Sequence, residues 1–234
     1  MITSKPVSVT ALIAGFLLGA VSAQPKLRHA RAELADTRHL AEHDSLTGLL
    51  NRTGAHSYYH RRTTAGQYAA VLLDLDGFKT VNDTWGHQTG DMLLKALATR
   101  LSRACTAIGA TASRLAGDEF LLLLPHCDAR TAVVEAVKIL DRLGAPIRLP
   151  LEDGAITAIT PTASAGIALP RSDGSWSDLL RRADIALYQA KSRPGHVVLH
   201  TPDMNQPPVR NRRERQMICV RDRGGHGVGM RASN

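Results

Sequence analysis

Aromatic residues make up only 4% of this 234-residue chain, leaving few stacking platforms for single-stranded bases. Cysteine is as scarce. Cys105, Cys127 and Cys219 are an odd number with no CxxC spacing, which argues against a disulfide framework or a zinc site and fits idle thiols in a reducing compartment. There is no internal repeat, and the span between the N-terminal apolar stretch and Asp44 has room for a helix but not for a sensory domain. What the chain has in excess is positive charge, at a net +8. Residues 1–43 carry five Lys/Arg against three acids, residues 44–202 seventeen against fifteen, and residues 203–234 seven against three. Half of the excess lies in the last segment and the central part is nearly neutral, so nucleic-acid binding by the core is not expected.

Val7 to Ala23 is uncharged and largely apolar, with Lys5 before it and Gln24-Pro25 after it. Two main readings stand. Val21-Ser22-Ala23 resembles a signal-peptidase site, which would export the chain. Alternatively, residues 1–25 form a single-pass anchor in the inner or cell membrane. Lys26, Arg28, His29 and Arg31 would then keep the rest in the cytoplasm. A misassigned start, leaving a cytoplasmic protein, is the third reading. We expect the anchor. Residues 26–43 read as a helix in which Leu27, Leu34 and Ala41 recur every seven residues, a short coiled-coil seam or a solvated connector. Residues 203–234, with NQPP, RNRRER and GGHGVGM, lack apolar periodicity and are expected to be a disordered basic tail.

From Asp44 the pattern is that of an α/β domain. A helix is expected over Arg52–Arg62 and a buried strand over Tyr68–Leu75. A second helix is expected from near Gly90, with Leu93, Leu94, Leu97, Ala98 and Leu101 on one face. A hairpin around Gly117 follows, then a helix over Asp128–Leu143 with Val133, Val134, Val137 and Leu140 as its apolar stripe. Ile156 to Leu169 holds strand material around Thr160-Pro161. Trp176 to Lys191 is amphipathic, and His196 to His200 reads as a short closing strand.

Two acidic turns stand out. Asp74-Leu75-Asp76 closes the run YAAVLLDL, and Ala116-Gly117-Asp118-Glu119-Phe120 sits between two further apolar runs. A strand apolar on both faces belongs in a sheet covered by helices, and such sheets bind ligands at their strand ends. Carboxylates there, beside a glycine that lets backbone approach a ligand, suggest a divalent cation holding a phosphate. Ordinary structural roles compete at each position. Strand-end aspartates serve turns, Asn82 and Asp91 flank loop-to-helix transitions where they would cap, and lysines on amphipathic helices are commonly just solvated. His87, alone in a polar loop, reads as a structural hydrogen-bonding residue.

Five strings in order decide between these roles: DSLTGLLNR from Asp44, DLDGFKTVND from Asp74, WGHQTGD from Trp85, AGDEF from Ala116 and ADIALYQAK from Ala183. Over about residues 42–202 they resemble the GGDEF family of diguanylate cyclases. The resemblance implies an α/β fold of the nucleotidyl-cyclase type over residues 44–202, an α+β sandwich with a central, mainly antiparallel five-stranded sheet flanked by helices. It also implies a reaction, the condensation of two GTP into cyclic di-GMP and two pyrophosphates. In that reaction a 3′-hydroxyl attacks an α-phosphate in line, so the protein's task is positioning and charge neutralisation. Two Mg²⁺ (or Mn²⁺) per GTP are implied, since hard cations accept one or two carboxylates and phosphate oxygens.

By the same resemblance, Asp74 and Asp118 are metal ligands, joined by the Leu75 carbonyl. Asp118, Glu119 and Arg114 form the catalytic group, with Glu119 near the attacking hydroxyl or the metals. Asn82 and Asp91 read guanine, because an amide and a carboxylate match its edge and leave adenine with unpaired buried groups. Lys79, Lys191 and Arg114 neutralise the triphosphate, and the backbone at Gly77, Phe78 and Gly117 completes the substrate site. One GTP per subunit makes a homodimer necessary, paired through residues 26–43. The competing function is a degenerate module that binds GTP or cyclic di-GMP and signals as a binding protein.

Three positions depart from the family's pattern. Ala116 stands where the family has glycine, which is costly if that position needs positive φ. Ala107-Ile108-Gly109-Ala110 stands where many members carry an Arg-x-x-Asp product-inhibition site, so that feedback should be absent. Gly195 stands where an arginine usually follows Lys191 by four residues, with Arg193 as the candidate substitute.

Overall fold

The computed structural model describes residues 39–62, 68–125, 127–151 and 154–204. Residues 1–41 and 42–234 form separate units; of the first, residues 39–41 are described and are helical. The expected anchor, most of the connector helix and the basic tail lie outside the described residues. Among the described residues no helix is long and apolar enough to cross a membrane.

The second unit runs α1 (Arg52–Arg62), β1 (Tyr68–Leu75), α2 (Phe78–Thr106), β2 (Thr111–Ala116), β3 (Glu119–Pro125), α3 (Ala129–Leu143), β4 (Ile147–Pro150), β5 (Ile156–Ile159), β6 (Ala163–Ala168), α4 (Trp176–Ala190) and β7 (Val197–Leu199). Five strands form one sheet in the order β2-β3-β1-β6-β7, antiparallel except for the β6–β7 pair, and β4 and β5 form a separate hairpin. The expected fold is found.

Why β1 is apolar on both faces is now plain. Successive strand side chains point to opposite sides. Ala69, Val71, Leu73 and Leu75 join the core under α2 and α3, while Tyr68, Ala70 and Leu72 join a second core with Ala55 and Tyr59 of α1 and Leu179, Ala183 and Leu187 of α4. β3 divides the same way, with Phe120, Leu122 and Leu124 on one side and Leu121 and Leu123 on the other. At Gly166 of β6 the sheet meets α4 almost backbone to backbone. A Cβ there would lie 2.1 Å from the Leu187 nitrogen and 2.2 Å from the Ala183 carbonyl oxygen, so no larger residue fits.

Three expectations change. α2 starts at Phe78 rather than near Gly90 and is broken at Gly86, whose backbone (φ 82, ψ 160) is not helical. In the first half, FKTVNDTW, Phe78, Val81 and Trp85 stand at helical spacing and pack on the core, but the run is only two turns long before Gly86 interrupts it. α3 turns a different face inward: Ala132, Ala136, Ile139 and Leu143 are buried, whereas Val134 and Val137 are each 42% exposed. Small alanines let the helix lie close to its neighbours, and residue bulk misled the reading of the stripe. Finally, β4 was not expected, and the strand material after Ile156 divides at Thr160-Pro161 into β5 and β6, where proline cannot donate to a ladder.

Candidate active site

The antiparallel register of β1 and β3 pairs Asp74 with Glu119. The end of β1 therefore lies beside the β2–β3 turn, and the Leu75 amide donates to the Asp118 carbonyl at 3.4 Å. Residues some forty positions apart in the chain, Asp74 and Leu75 on one side and Asp118 and Glu119 on the other, thus share one sheet end. Their electrostatics show the proximity. Burial first, and the Asp74 charge second, push the Asp118 carboxyl up to about 6, against the pull of Lys191 and Arg114. A carboxyl so placed gains from any cation.

The turn itself is formed by Gly117 and Asp118. Gly117 has φ 47 with open space where a Cβ would be. Ala116, by contrast, is the last residue of β2 and pairs with Glu119. It follows a register shift in the β2–β3 pairing between Arg114 and Ala116 but is still strand, a conformation open to L-residues. The position that needs glycine's freedom is Gly117, and that one is kept.

Arg114 has partners other than those expected. Its Nε donates to the Gly117 carbonyl at 2.8 Å, and its Nη1 donates to both carboxylate oxygens of Asp44 at 3.0 and 3.1 Å. Asp44 also accepts from the Thr47 amide at 2.9 Å and hydroxyl at 2.6 Å. Burial opposes ionisation of Asp44, but the Thr47 and Arg114 bonds outweigh it and hold the carboxyl below its ordinary value. The Leu50 carbonyl takes the Arg114 amide at 2.8 Å. Arg114 is a strap that ties the signature turn to residues 44–50. This geometry gives no support to its expected contact with the triphosphate.

Lys191 caps the C-terminus of α4, where a cation also meets the helix dipole favourably. Its Nζ donates to the Asp74 carbonyl at 3.1 Å, the Leu75 carbonyl at 3.2 Å and Asp76 Oδ1 at 2.8 Å, and it also pairs with the Asp74 carboxylate. Desolvation works against its charge, but Asp74 and Asp76 more than offset this and raise its pKa. Asp76 was part of the acidic triplet yet received no role from the sequence. The available signal was the spacing: residues two apart on a strand share a face, so Asp76 follows Asp74 toward Lys191.

Asn82 and Gly90 meet across the Gly86 break. A Cβ on Gly90 would lie 1.9 Å from Asn82 Oδ1 and 3.3 Å from the Phe78 ring, so the Asn82 carboxamide rests on Gly90, next to exposed Asp91. The N-terminal cap of α2 is Gly77 at φ 71. Gly77 and Lys79 are exposed and Phe78 is half-buried at the start of the same helix. Exposed His87 lies just past the break. At Gly195 φ is 79; Arg193 shares a cleft of about 720 Å³ with Lys191 and His196. Ala107–Ala110 form the uncharged turn after α2, closed by the Ala110 amide on the Cys105 carbonyl at 2.9 Å.

Among the described residues no group of three or more His, Cys, Asp or Glu side chains forms a metal cage. Two carboxylates and a carbonyl suit a cation that takes its remaining ligands from water and phosphate.

Known proteins bear on this arrangement. The family described as diguanylate cyclase, GGDEF domain, matches residues 41–196. Diguanylate cyclase DgcM of Escherichia coli (strain K12) is 36% identical over 170 residues, covering 69% of this chain and 38% of its own length. Cyclic di-GMP phosphodiesterase NbdA of Pseudomonas aeruginosa is 36% identical over 173 residues, covering 71% of this chain and 21% of its own. The chain thus spans about a fifth to two fifths of the length of these curated relatives. Among solved structures, the coiled coil and GGDEF domain of DgcB from Caulobacter crescentus in complex with c-di-GMP superposes with a TM-score of 0.67 at 26% identity, covering 79% of this chain and 98% of that one. With the paired acidic turns, the sheet order and these likenesses in agreement, the chain belongs to the GGDEF family of diguanylate cyclase domains.

Proposed function

We propose that this protein is a diguanylate cyclase that condenses two GTP molecules into cyclic di-GMP with release of two pyrophosphates. One observation carries the reading: the β1–β3 register gathers Asp74, the Leu75 carbonyl, Asp118 and Glu119 at one sheet end, with Lys191 over them. Two carboxylates and a carbonyl are donors that fit Mg²⁺ or Mn²⁺, two per GTP in this reading; burial and the neighbouring Asp74 push Asp118 up to about 6, a cost that a bound cation removes. Asp74, Leu75 and Asp118 would hold the cations, whose chemistry is to neutralise phosphate charge and acidify the attacking hydroxyl.

The chain's own residues do the rest. Asn82 and Asp91 hold guanine at the Gly86 break and reject adenine by leaving its edge mismatched. Lys79 and Lys191 meet phosphate oxygens, with backbone donors from Gly77, Phe78 and Gly117. Glu119, paired with Asp74 across the strands, stands where it can take the proton of the 3′-hydroxyl. Because each subunit offers one nucleotide, two copies must face each other. Residues 26–43 supply the means of pairing, and residues 7–23 the tether to the membrane with the globular part in the cytoplasm. Ala107–Ala110 carry no charge, so product feedback through that turn is absent.

The test is turnover by the full chain with GTP and Mg²⁺, read as cyclic di-GMP and pyrophosphate. Asp118→Asn should abolish both. A second reading, a degenerate module that binds GTP or cyclic di-GMP, draws on Ala116 in the signature and on the likeness to a phosphodiesterase. Nucleotide binding without product at high protein concentration would establish it instead.

A further inference from the structure

Asp76 lies one residue beyond β1 with a side chain only 9% exposed. Its Oδ1 accepts from the Ser164 hydroxyl at 2.9 Å and from Lys191 Nζ at 2.8 Å, and its Oδ2 accepts from the Gly195 amide at 2.9 Å. Its own amide donates to the Thr162 carbonyl at 2.9 Å. One carboxylate thus joins the end of β1, the approach to and body of β6, the cap of α4 and the loop before β7. Buried carboxylates are tolerated when their lone pairs are met in this way.

The Lys191 ammonium divides its bonds between two carboxylates. The oxygens it takes from Asp74 and Leu75 are the ones suited to a cation. The oxygen it takes from Asp76 is not among them. With Asp74 and Leu75 as its only partners, the ammonium would contend with a cation for the same atoms. Asp76 gives it an anchor that a cation does not claim.

We propose that Asp76 is the positioning residue for Lys191, holding its ammonium beside the Asp74–Leu75 end of β1 so that it meets the nucleotide's phosphate oxygens. The proposal rests on the cyclase reading of the site. Gly195 is part of the device. At φ 79 it is strained for any L side chain, and its amide is turned onto Asp76. At Gly195 the chain thus places a backbone donor that fixes the carboxylate holding the Lys191 ammonium.

The experiment compares full-length wild type, Asp76→Asn, Lys191→Met and the double variant in two assays: GTP turnover, and binding of a non-cyclisable GTP analogue with Mg²⁺. Asp76→Asn keeps the volume and one acceptor but loses the charge. Loss of a charge-assisted anchor predicts a rise of about tenfold in KM and in the analogue's Kd, with kcat down less than threefold. The double variant should bind no worse than Lys191→Met alone, because both changes remove one interaction. A merely structural role would lower kcat through loss of folded protein and leave KM unmoved. Unchanged KM and Kd, or additive losses in the double variant, would overturn the proposal. Should Asp76→Asn melt at the assay temperature, Ser164→Ala carries the test, with about a threefold rise in Kd expected and none overturning it. If wild type binds the analogue without making product, the cyclase reading fails while Asp76 is still judged on affinity. No binding by wild type overturns both.

Discussion

The proposed phosphate end of the site and the proposed guanine end are built by different means. At the phosphate end, Asp74, Asp76, Asp118 and Lys191 come from three separate elements, and charge holds them together across the end of the sheet. At the proposed guanine end, Asn82 and Asp91 belong to one helix, and a break at Gly86 seats Asn82 by shape against Gly90, the neighbour of Asp91. The first end holds its parts at an electrostatic cost; the second excludes a single methyl group. Substitutions that alter charge at Asp74, Asp76, Asp118 or Lys191 should therefore affect the first and spare the second, and an added methyl at Gly90 should do the reverse.

The largest effect expected is that of Asp118→Asn. Turnover should fall by about a thousandfold or more, as when a principal electrostatic group is removed. The same change should stabilise the cation-free fold. The folded carboxyl titrates near 6 against about 3.9 in an unfolded chain. Its proton thus stabilises the fold fully below about pH 4, and that stability is lost as pH rises through about 6. Asparagine carries no such loss, so the variant should gain about 1–3 kcal/mol at pH 8 and little at pH 4. Thermal melts at both pH values without divalent cations would check this, and a variant less stable at pH 8 would refute it.

Next in size is Gly90→Ala. Its methyl would meet the Asn82 carboxamide at 1.9 Å, so guanine recognition should suffer while Mn²⁺ binding at the other end stays intact. We expect the GTP KM to rise by ten- to a hundredfold and discrimination against ATP to weaken. Selectivity measured as the ratio of kcat/KM for the two nucleotides reads this directly.

Asp44→Ala cuts the strap between residues 44–50 and the signature turn. With the Asp44 and Arg114 side chains only 22% and 12% exposed, the expected loss is about 1–3 kcal/mol in denaturant melts. A smaller fall in kcat should follow as the Gly117 turn loosens. The smallest effect belongs to Ala116→Gly. Because position 116 is strand, restoring the family's glycine should change turnover by less than about twofold and cost about 0.5–1 kcal/mol of stability. A tenfold gain in turnover would show that the methyl does crowd the nucleotide.

How far the sequence reached differs between the two ends as well. The carboxylates were legible because they interrupt strongly apolar runs, and β1, the hairpin and α4 were legible for the same reason. Partnerships across space were not. Arg114 reads as a phosphate cation until the fold turns it onto Asp44, and Asp76 has no visible role until Gly195 and Ser164 arrive from residues some ninety or more positions away. At the proposed guanine end the first half of α2 is hard to read because Phe78, Val81 and Trp85 make only two turns of helical spacing before Gly86 breaks the pattern. On α3, Val133 and Leu140 of the expected stripe do pack against the core while Val134 and Val137 face outward, because the alanines that pack most closely carry too little bulk to mark the buried face.

The contact at Gly166 has a mechanical consequence. α4 rests on the sheet at Leu187 with no side chain between them, and Lys191 sits about one helical turn farther along. Gly166 is thus a fulcrum and the end of α4 a short lever, with the ammonium at its tip. A side chain added beneath the fulcrum would tilt the tip away from Asp74 while leaving every charged group in the site chemically unchanged. The reach of Lys191 thus depends on the floor beneath the helix, at a position that carries no charge at all, as well as on the Asp76 anchor.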